Sequence, residues 1–238
     1  MISSVSIIIP AYNEENRLPH SLKIIADFFH GKPFNYEIIV VDDGSSDGTY
    51  SVAEKFAATN SKIQPHRLQK NSGKGAALAA GVARAACEWV LIYDADSATP
   101  IGELLNFIKA APLPNQILIG SRAVGSSKIL CHQPLSRRVL GKGFATIRKL
   151  LVGLPDIEDT QCGFKLFHQT VAQSLFSTLK TPGFLFDVEV LGKARALGLQ
   201  IQEIGVQWSD VPFSKVRVSK ELFQTLKNLL EIRRLLKS

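Results

Sequence analysis

The sequence has little of what marks secreted, membrane-spanning or zinc-binding proteins. Its 238 residues include only three cysteines, Cys87, Cys131 and Cys162, which are widely spaced. This argues against a disulfide framework or a CxxC zinc site and favours reduced thiols in a protein that faces the cytosol. No apolar run approaches about 18 residues, and the first ten residues lack a basic segment. We therefore expect neither a spanning helix nor a signal peptide.

Several catalytic signatures are also missing. The chain has no G-x-G-x-x-G and no H-E-x-x-H, and its five histidines are scattered without metal-ligand spacing. These absences argue against a dinucleotide-binding Rossmann unit and a zinc peptidase.

Charge is distributed unevenly along a chain of otherwise ordinary globular composition. Residues 1–121 contain 10 Lys or Arg and 12 Asp or Glu, whereas residues 122–238 contain 18 and 9. The segment from Arg122 to Lys149 carries seven basic residues and no acidic one. Such a face attracts phosphates, an anionic membrane or nucleic acid, and a plain solvated surface is an equally good explanation. No RNP-like aromatic motif, zinc finger or helix-turn-helix signature supports a nucleic-acid-binding module.

Apolar strands alternate with helical patterns in the first half. Strands are predicted over 5–9, 36–41, 63–68, 89–93 and 117–120, with helices over 15–29, 49–58, 75–86 and 104–110. Continuous apolar strands between helices are typical of a parallel sheet that helices cover on both faces. The sequence thus predicts an α/β fold, and no linker divides it, so we expect one domain.

The second half is less regular. It predicts a basic amphipathic helix over 135–152, a strand over 163–167, a helix over 186–197, a strand over 200–208 and an amphipathic helix over 219–237. Two interpretations of the last helix stay open, because its apolar face suits either packing on the domain or a membrane interface.

Polar residues follow three of the predicted strands. They form the segments 10–14 (PAYNE), 42–45 (DDGS) and 94–96 (DAD). Ligands of open α/β sheets bind beyond the carboxyl ends of the strands, and Mg²⁺ is commonly bound by one or two carboxylates together with substrate phosphates. Three converging polar segments, with D-x-D directly after a buried strand, indicate a site for a cation or for sugar hydroxyls.

The segment 70–75 (KNSGKG) has two interpretations. Its glycines allow close packing at a helix N-terminus, or Lys74 and the backbone amides lie near a nucleotide. It lacks the spacing of a P-loop.

Together, these segments resemble family-2 glycosyltransferases of the GT-A fold. The matching stretches are 6–15 (SIIIPAYNEE), 37–49 (EIIVVDDGSSDGT), 71–78 (NSGKGAAL), 90–100 (VLIYDADSATP) and 119–122 (IGSR). Two further stretches, 159–167 (DTQCGFKLF) and 183–189 (GFLFDVE), resemble the dolichyl-phosphate β-glucosyltransferase branch in particular. Mannose synthases carry a glutamine two residues after the D-x-D, where this chain has Ala98, which favours the glucosyl branch.

The resemblance implies an α/β GT-A fold, with a mostly parallel nucleotide-binding sheet, flanking helices and an amphipathic C-terminal helix. Residues 1–121 would form the nucleotide-sugar half and residues 122–238 the half that faces acceptor and membrane. It also implies roles for individual residues. The nucleoside would contact Pro10, Tyr12, Glu14, Val41 and Asp43. The sugar nucleotide would contact Asp94 and Ala95, and the metal would be held by Asp94 and Asp96. Arg122 would lie near the donor phosphate or sugar, Arg137 would contact the acceptor phosphate, and Asp159 would face the reacting sugar.

The implied reaction is inverting transfer of a sugar, with glucose expected, from a UDP-sugar to a polyprenyl phosphate of the dolichyl type. The expected cofactor is Mg²⁺ or Mn²⁺, and the expected location is the cytoplasmic face of a membrane, held peripherally or through an anchored partner. Alternatives are a mannose synthase-like enzyme, a family-2 transferase with a non-lipid acceptor, and a catalytically dead scaffold, against which the intact D-x-D argues.

Overall fold

We describe the fold of residues 2–110, 112–131, 152–210 and 222–236 from a computed structural model. Within these ranges the strands are β1 (Ser4–Ala11), β2 (Asn35–Asp42), β3 (Ile63–Arg67), β4 (Trp89–Tyr93), β5 (Gln116–Ser121), β6 (Lys128–Cys131), β7 (Phe164–His168), β8 (Gln200–Gly205) and β9 (Gln207–Ser209). The helices are α1 (Leu18–Phe29), α2 (Thr49–Thr59), α3 (Lys74–Val82), α4 (Leu104–Lys109), α5 (Gln169–Ser177), α6 (Phe186–Ala196) and α7 (Leu222–Leu235), with a 3-10 turn at Ile101–Glu103 before α4.

The main sheet has the strand order β3-β2-β1-β4-β7-β5-β8, and β6 pairs separately with β9. Every neighbouring pair in the main sheet is parallel except those of β7, which runs antiparallel to β4 and β5. The first residue of β7, Phe164, therefore lies opposite Tyr93, the last residue of β4. As a result, the segment before β7 reaches the edge at which β1, β2, β4 and β5 end.

Both faces of the sheet are buried in apolar cores. In β1, Ile8 faces one core, whereas Ile7 and Ile9 face the other, as the two-residue period of a strand requires. Helices α3, α5 and α6 cover the first face, and α1 and α4 cover the second. This burial explains why the strands read as continuous apolar runs, as expected for a mostly parallel α/β sheet.

The predicted α/β class is confirmed, as are the elements predicted in the first half. The helix predicted over 75–86 is shorter, because it ends at Val82. In the second half, the strand over 163–167 and the helix over 186–197 are confirmed. The segment 200–208 is two strands, because buried Val206 separates β8 from β9, which pairs with β6 instead.

Two elements were not predicted. Helix α5 buries Ala172, Leu175 and Phe176, and that helical spacing is a signal that could have identified it. Strand β6 is short and largely exposed, so its sequence carries no such pattern.

The C-terminal amphipathic helix is confirmed over Leu222–Leu235. Leu229 and Ile232 are buried in the core that also contains α3 and α6, so this helix packs on the domain, as one of its two interpretations required. No helix of the described ranges is both long and apolar enough to cross a bilayer. The helix predicted over 135–152, and Arg137 with it, lies outside the described residues apart from Val152.

Candidate active site

Two short hydrogen bonds connect the loop after β1 to the segment that follows β2. The Asn13 amide donates to Ser45 Oγ over 2.8 Å, and the Glu14 amide donates to Thr49 Oγ1 over 2.7 Å. Asn13 adopts a positive φ of 54°, a left-handed conformation that asparagine tolerates better than most residues. Pro10 is half-buried, and Tyr12 is exposed at the rim of the same edge. The Glu14 carboxylate pairs with Arg17 over 2.6 Å.

The two consecutive aspartates at the end of β2 accept hydrogen bonds from backbone amides of the adjacent loops. Asp43 accepts hydrogen bonds from the amides of Ser72 and Gly73, at 2.7 and 2.8 Å. Asp42 accepts one from the Ser45 amide and pairs with Arg67 over 3.2 Å. These contacts fix the loop that leads into α3 next to the ends of β1 and β2. The Val41 side chain lies in the core, so only its backbone belongs to this edge.

Packing brings Lys74 to the site. Gly73 has a positive φ of 97°, and a Cβ there would lie 2.5 Å from the Pro182 carbonyl oxygen. The glycines thus permit the close packing that one interpretation of this loop required. The adjacent Lys74 ammonium pairs with Asp94 over 2.6 Å.

The D-x-D segment forms a fixed turn after β4. The buried Ala95 carbonyl accepts a hydrogen bond from Ser21 Oγ over 2.6 Å, and Asp96 Oδ1 accepts one from the Ala98 amide over 3.0 Å. Ser97 has a positive φ of 54°, and its hydroxyl donates to Ser21 Oγ over 2.7 Å. This strained turn presents two carboxylates at the sheet edge.

The two carboxylates differ electrostatically. Burial alone would raise the pKa of Asp94, but the Lys74 ammonium lowers it below its ordinary value. Burial raises the pKa of Asp96, and the charge of Asp94 raises it further. The Ala98 amide and the charges of Arg17 and Lys74 lower the pKa of Asp96 but do not outweigh these two effects. A cation bound here would favour the ionised form of Asp96.

The donor set suits a hard divalent cation that also binds phosphate. No group of three or more His, Cys, Asp and Glu side chains in the described part of the chain is arranged so that it could hold a metal ion, so these residues do not form a complete protein cage for a metal. Mg²⁺ does not need one, because it is usually bound by one or two carboxylates plus substrate phosphates and water. Asp94 and Asp96 fit that pattern.

Arg122 and Asp159 form a bidentate pair at the end of β5. The Arg122 Nε and Nη2 atoms donate to the two Asp159 oxygens over 2.6 and 2.8 Å. The amides of Arg122 and Gln161 donate to the same carboxylate, each over 3.0 Å. Burial would raise the pKa of Asp159, but the Arg122 guanidinium and these hydrogen bonds hold it below its ordinary value. The Arg122 guanidinium also lies 5.3 Å from the centre of the Trp208 ring.

Further site residues escaped the sequence analysis. Glu203 accepts hydrogen bonds from the amides of Glu158 and Asp159, at 2.7 and 2.9 Å, and so fixes the approach to β7. Gly163 lies directly against Asp94, because a Cβ at this position would overlap the Asp94 carboxylate. Lys165 and Asp187 form a buried ion pair of 2.5 Å. The signal for that pair was a charged residue within an apolar strand (FKLF) and another within an apolar helix (FDVEV), because buried charges need partners.

The structure thus gathers most of the predicted residues at one edge. Arg137 lies outside the described residues. The others stand on the ends of β1, β2, β4 and β5 or on the segments beside them: Pro10, Tyr12, Glu14, Val41, Asp43, Lys74, Asp94, Ala95, Asp96, Arg122 and Asp159.

A mostly parallel sheet with a D-x-D turn at its carboxyl edge defines an α/β enzyme of the GT-A class. The family model described as Glycosyl transferase family 2 matches residues 6–176, and the chain belongs to this family.

Two curated relatives of the chain belong to one branch of this family. The chain is 39% identical over 229 residues to a dolichyl-phosphate beta-glucosyltransferase of Trichomonas vaginalis, covering 90% of this chain and 68% of that protein. It is 36% identical over 242 residues to the dolichyl-phosphate beta-glucosyltransferase of Homo sapiens, covering 96% of this chain and 74% of that protein. The resemblance to this branch, expected from the sequence, is confirmed.

Solved structures support the fold. Glucosyl-3-phosphoglycerate synthase from Mycobacterium tuberculosis, in complex with Mn²⁺ and UDP-glucose, matches with a TM-score of 0.65 and 19% identity, covering 98% of this chain and 79% of that chain. Mannosyl-3-phosphoglycerate synthase from Rubrobacter xylanophilus matches with a TM-score of 0.68 and 16% identity, covering 99% and 74%. At these identities the likeness establishes the fold alone.

The Asp159–Arg122 pair yields a pH-dependent stability prediction. Because the Asp159 pKa is depressed in the folded state, its contribution is present above the unfolded-state value of about 3.9 and is lost as the pH falls through the folded-state value. We expect Asp159→Asn to lower the free energy of unfolding by about 3 kcal/mol at pH 7, because it leaves Arg122 without its partner. The difference from the wild type should shrink below about pH 4. Urea unfolding at pH 7 and pH 3 measures it.

Asp156→Asn is the matched control, because Asp156 forms an exposed pair with Arg195. We expect it to change stability by less than about 1 kcal/mol. An equal loss for Asp159→Asn at both pH values would contradict the assigned ion pair.

Proposed function

We propose that this chain transfers glucose from UDP-glucose to a dolichyl-type polyprenyl phosphate, with inversion at C1 of the sugar. The observation that carries the proposal is the 36% identity to the human dolichyl-phosphate beta-glucosyltransferase over 96% of the chain. The site adds support, since it combines two carboxylates with the cations Lys74 and Arg122, a combination suited to a sugar diphosphate.

The proposed reaction needs no strong general base. An oxygen of the acceptor phosphate attacks C1, the C1–O bond to the diphosphate breaks, and UDP leaves with the electron pair. The acceptor phosphate is already anionic at neutral pH, so no proton must be removed. Asp159 is poorly suited to act as a base, because both of its oxygens accept hydrogen bonds from Arg122 and its pKa is low. We assign it the role of holding Arg122 toward the donor phosphate or sugar.

Catalysis then rests on positioning and on stabilising the leaving diphosphate. The loops at 10–14 and 42–45 are assigned to the uridine, with Pro10, Tyr12, Glu14 and the backbone at Val41 and Asp43 nearest to it. Asp96, assisted by Asp94, would hold Mg²⁺ or Mn²⁺, and the ion would neutralise charge on the diphosphate. Lys74 and Arg122 supply positive charge from the protein itself. Arg137 is assigned to the acceptor phosphate on the family resemblance.

The two halves divide the work in this proposal. Residues 1–121 carry a slight acidic excess and the D-x-D, whereas residues 122–238 carry 18 basic against 9 acidic residues. We assign the basic half to the acceptor phosphate and to peripheral contact with the cytoplasmic face of a membrane, where each basic residue near an anionic surface contributes about 1 kcal/mol. Attachment through an anchored partner is the other route.

A transfer assay tests the proposed reaction. Purified protein is incubated with labelled UDP-glucose, Mn²⁺ or Mg²⁺ and dolichyl phosphate in detergent, with GDP-mannose and a soluble sugar acceptor run in parallel. We expect label from UDP-glucose in the lipid phase, and we expect Asp96→Asn to reduce the rate by about 100-fold or more, because charge on the leaving group is then less stabilised.

Glu37→Gln is the control, since Glu37 is a buried carboxylate at the opposite end of β2, bonded to Ser6. It should keep most of the activity. Label that enters lipid only from GDP-mannose would show that the donor is GDP-mannose and not UDP-glucose. Label that enters only the soluble acceptor would refute the lipid phosphate as acceptor.

A second prediction concerns the membrane. The basic half should bring the protein to vesicles that contain anionic lipid at low salt, and added salt should weaken this binding because it screens surface charge. Vesicle sedimentation at 50 mM and 500 mM NaCl measures it, with neutral phosphatidylcholine vesicles as the control. Equal binding to neutral and anionic vesicles, or none to either, would contradict direct electrostatic attachment.

A further inference from the structure

A second ion pair lies behind the D-x-D, and no step of the proposed reaction uses it. Lys165 Nζ is 2.5 Å from Asp187 Oδ1 and donates to the Cys162 carbonyl over 2.5 Å. The Lys165 and Asp187 side chains are only 2% and 6% exposed. Lys165 stands on β7, between β4 and β5, and its strand neighbours Phe164 and Leu166 are fully buried.

This pair belongs to the same small volume as Lys74 and Asp94. The ammonium groups of Lys74 and Lys165 both lie 5.9 Å from the centre of the Phe186 ring. Gly163, two residues before Lys165, lies against the Asp94 carboxylate. The four side chains therefore form one cluster of two positive and two negative charges, buried at Lys165 and Asp187 and partly exposed at Lys74 and Asp94, which are the members nearest to the proposed donor.

The pairs also influence each other. After burial and Asp94, the next contribution to the pKa of Lys74 is the negative charge of Asp187, which raises it. Lys165 is among the cations that lower the pKa of Asp94. Asp187 thus acts on Lys74, and Lys165 acts on Asp94.

Stability alone gives little reason to keep charges here. Replacing a buried ion pair by well-packed apolar residues is often neutral or stabilising, because desolvation offsets the attraction between the charges. An apolar residue at position 165 would also match the rest of β7. Because the pair lies behind Asp94, an effect of its charges on the site is the better explanation for a lysine and an aspartate at these positions.

We propose that Lys165 and Asp187 are positioning residues whose balanced charges set how strongly the Lys74–Asp94 edge attracts the anionic donor and the divalent cation. This inference rests on the proposed function, because it takes the diphosphate and the metal to bind beside Asp94. Removing the charge of Lys165 leaves the cluster with a net negative charge, whereas removing that of Asp187 leaves it with a net positive charge.

The test measures two ligands separately. Calorimetry gives the affinity for UDP in the presence of EDTA, and electron paramagnetic resonance gives the affinity for Mn²⁺ alone. Lys165→Met removes a positive charge with little change of volume, so it should weaken UDP binding and strengthen Mn²⁺ binding, each about three- to tenfold. Asp187→Asn should do the reverse, with tighter UDP and weaker Mn²⁺ binding by similar factors.

The double variant Lys165→Met/Asp187→Asn restores neutrality and should return both affinities to within about twofold of the wild type. It also protects the test against misfolding, because it leaves no unpaired buried charge. Glu37→Gln, a buried carboxylate removed at the far end of the sheet, should change neither affinity.

The outcomes separate the two proposals. A wild-type protein that binds neither UDP nor Mn²⁺ would overturn the proposed function and this inference with it. Wild-type binding combined with shifts of the same sign in both single variants, or with no shifts, would overturn the inference alone. Opposite shifts that the double variant cancels would support it.

Discussion

The ion pair between Lys74 and Asp94 is the interaction on which the rest of the site depends. It joins the N-terminus of α3 to the end of β4 over 2.6 Å, and it forms only because neighbouring backbone approaches closely on two sides. Gly73 allows the loop before α3 to meet Pro182, and Gly163 allows the segment before β7 to meet Asp94. The antiparallel direction of β7 is essential here, because it delivers that segment to the edge where the parallel strands end. Sheet topology and two glycines thus determine where one carboxylate lies.

The chemistry we propose follows from charge placement rather than from a nucleophile or a base. An acceptor phosphate carries its own negative charge, so the protein has only to orient it and to stabilise the departing diphosphate. The described site fits this requirement. Asp159 is fully engaged by Arg122 and two backbone amides, which suits a residue that positions a cation and not one that accepts a proton. Lys74 and Arg122 supply positive charge, whereas Asp96 keeps a carboxylate for a metal ion. The two cations are each paired with a carboxylate, Asp94 or Asp159, so Asp96 gives these side chains an excess of negative charge before a ligand binds.

Much of this arrangement could be predicted from the sequence, and the part that could not has a physical explanation. Strands β1, β2, β4 and β5 each contain a continuous apolar run, and the sharp change from WVLIY to DAD marks both the end of β4 and the site. The convergence of 10–14, 42–45 and 94–96 follows from parallel strands, whose carboxyl ends share an edge. Pairings between residues that are far apart in the sequence could not be predicted in this way. Nothing local in the chain indicates that Asp159 binds Arg122, or that Lys165 binds Asp187, because each pair is created by the crossing of β7 through the sheet. The reversed direction of β7 was likewise invisible, since its sequence, FKLFH, carries no pattern that distinguishes an antiparallel strand from a parallel one.

A crystal structure with UDP-glucose and Mn²⁺ would show whether the diphosphate binds at the edge formed by Asp94, Asp96, Lys74 and Arg122. We expect uridine between the loops after β1 and β2, a metal ion bonded to Asp96, and diphosphate oxygens about 3 Å from the Lys74 ammonium or the Arg122 guanidinium. Uridine bound elsewhere, or a diphosphate that contacts neither cation nor a metal on Asp96, would contradict this expectation.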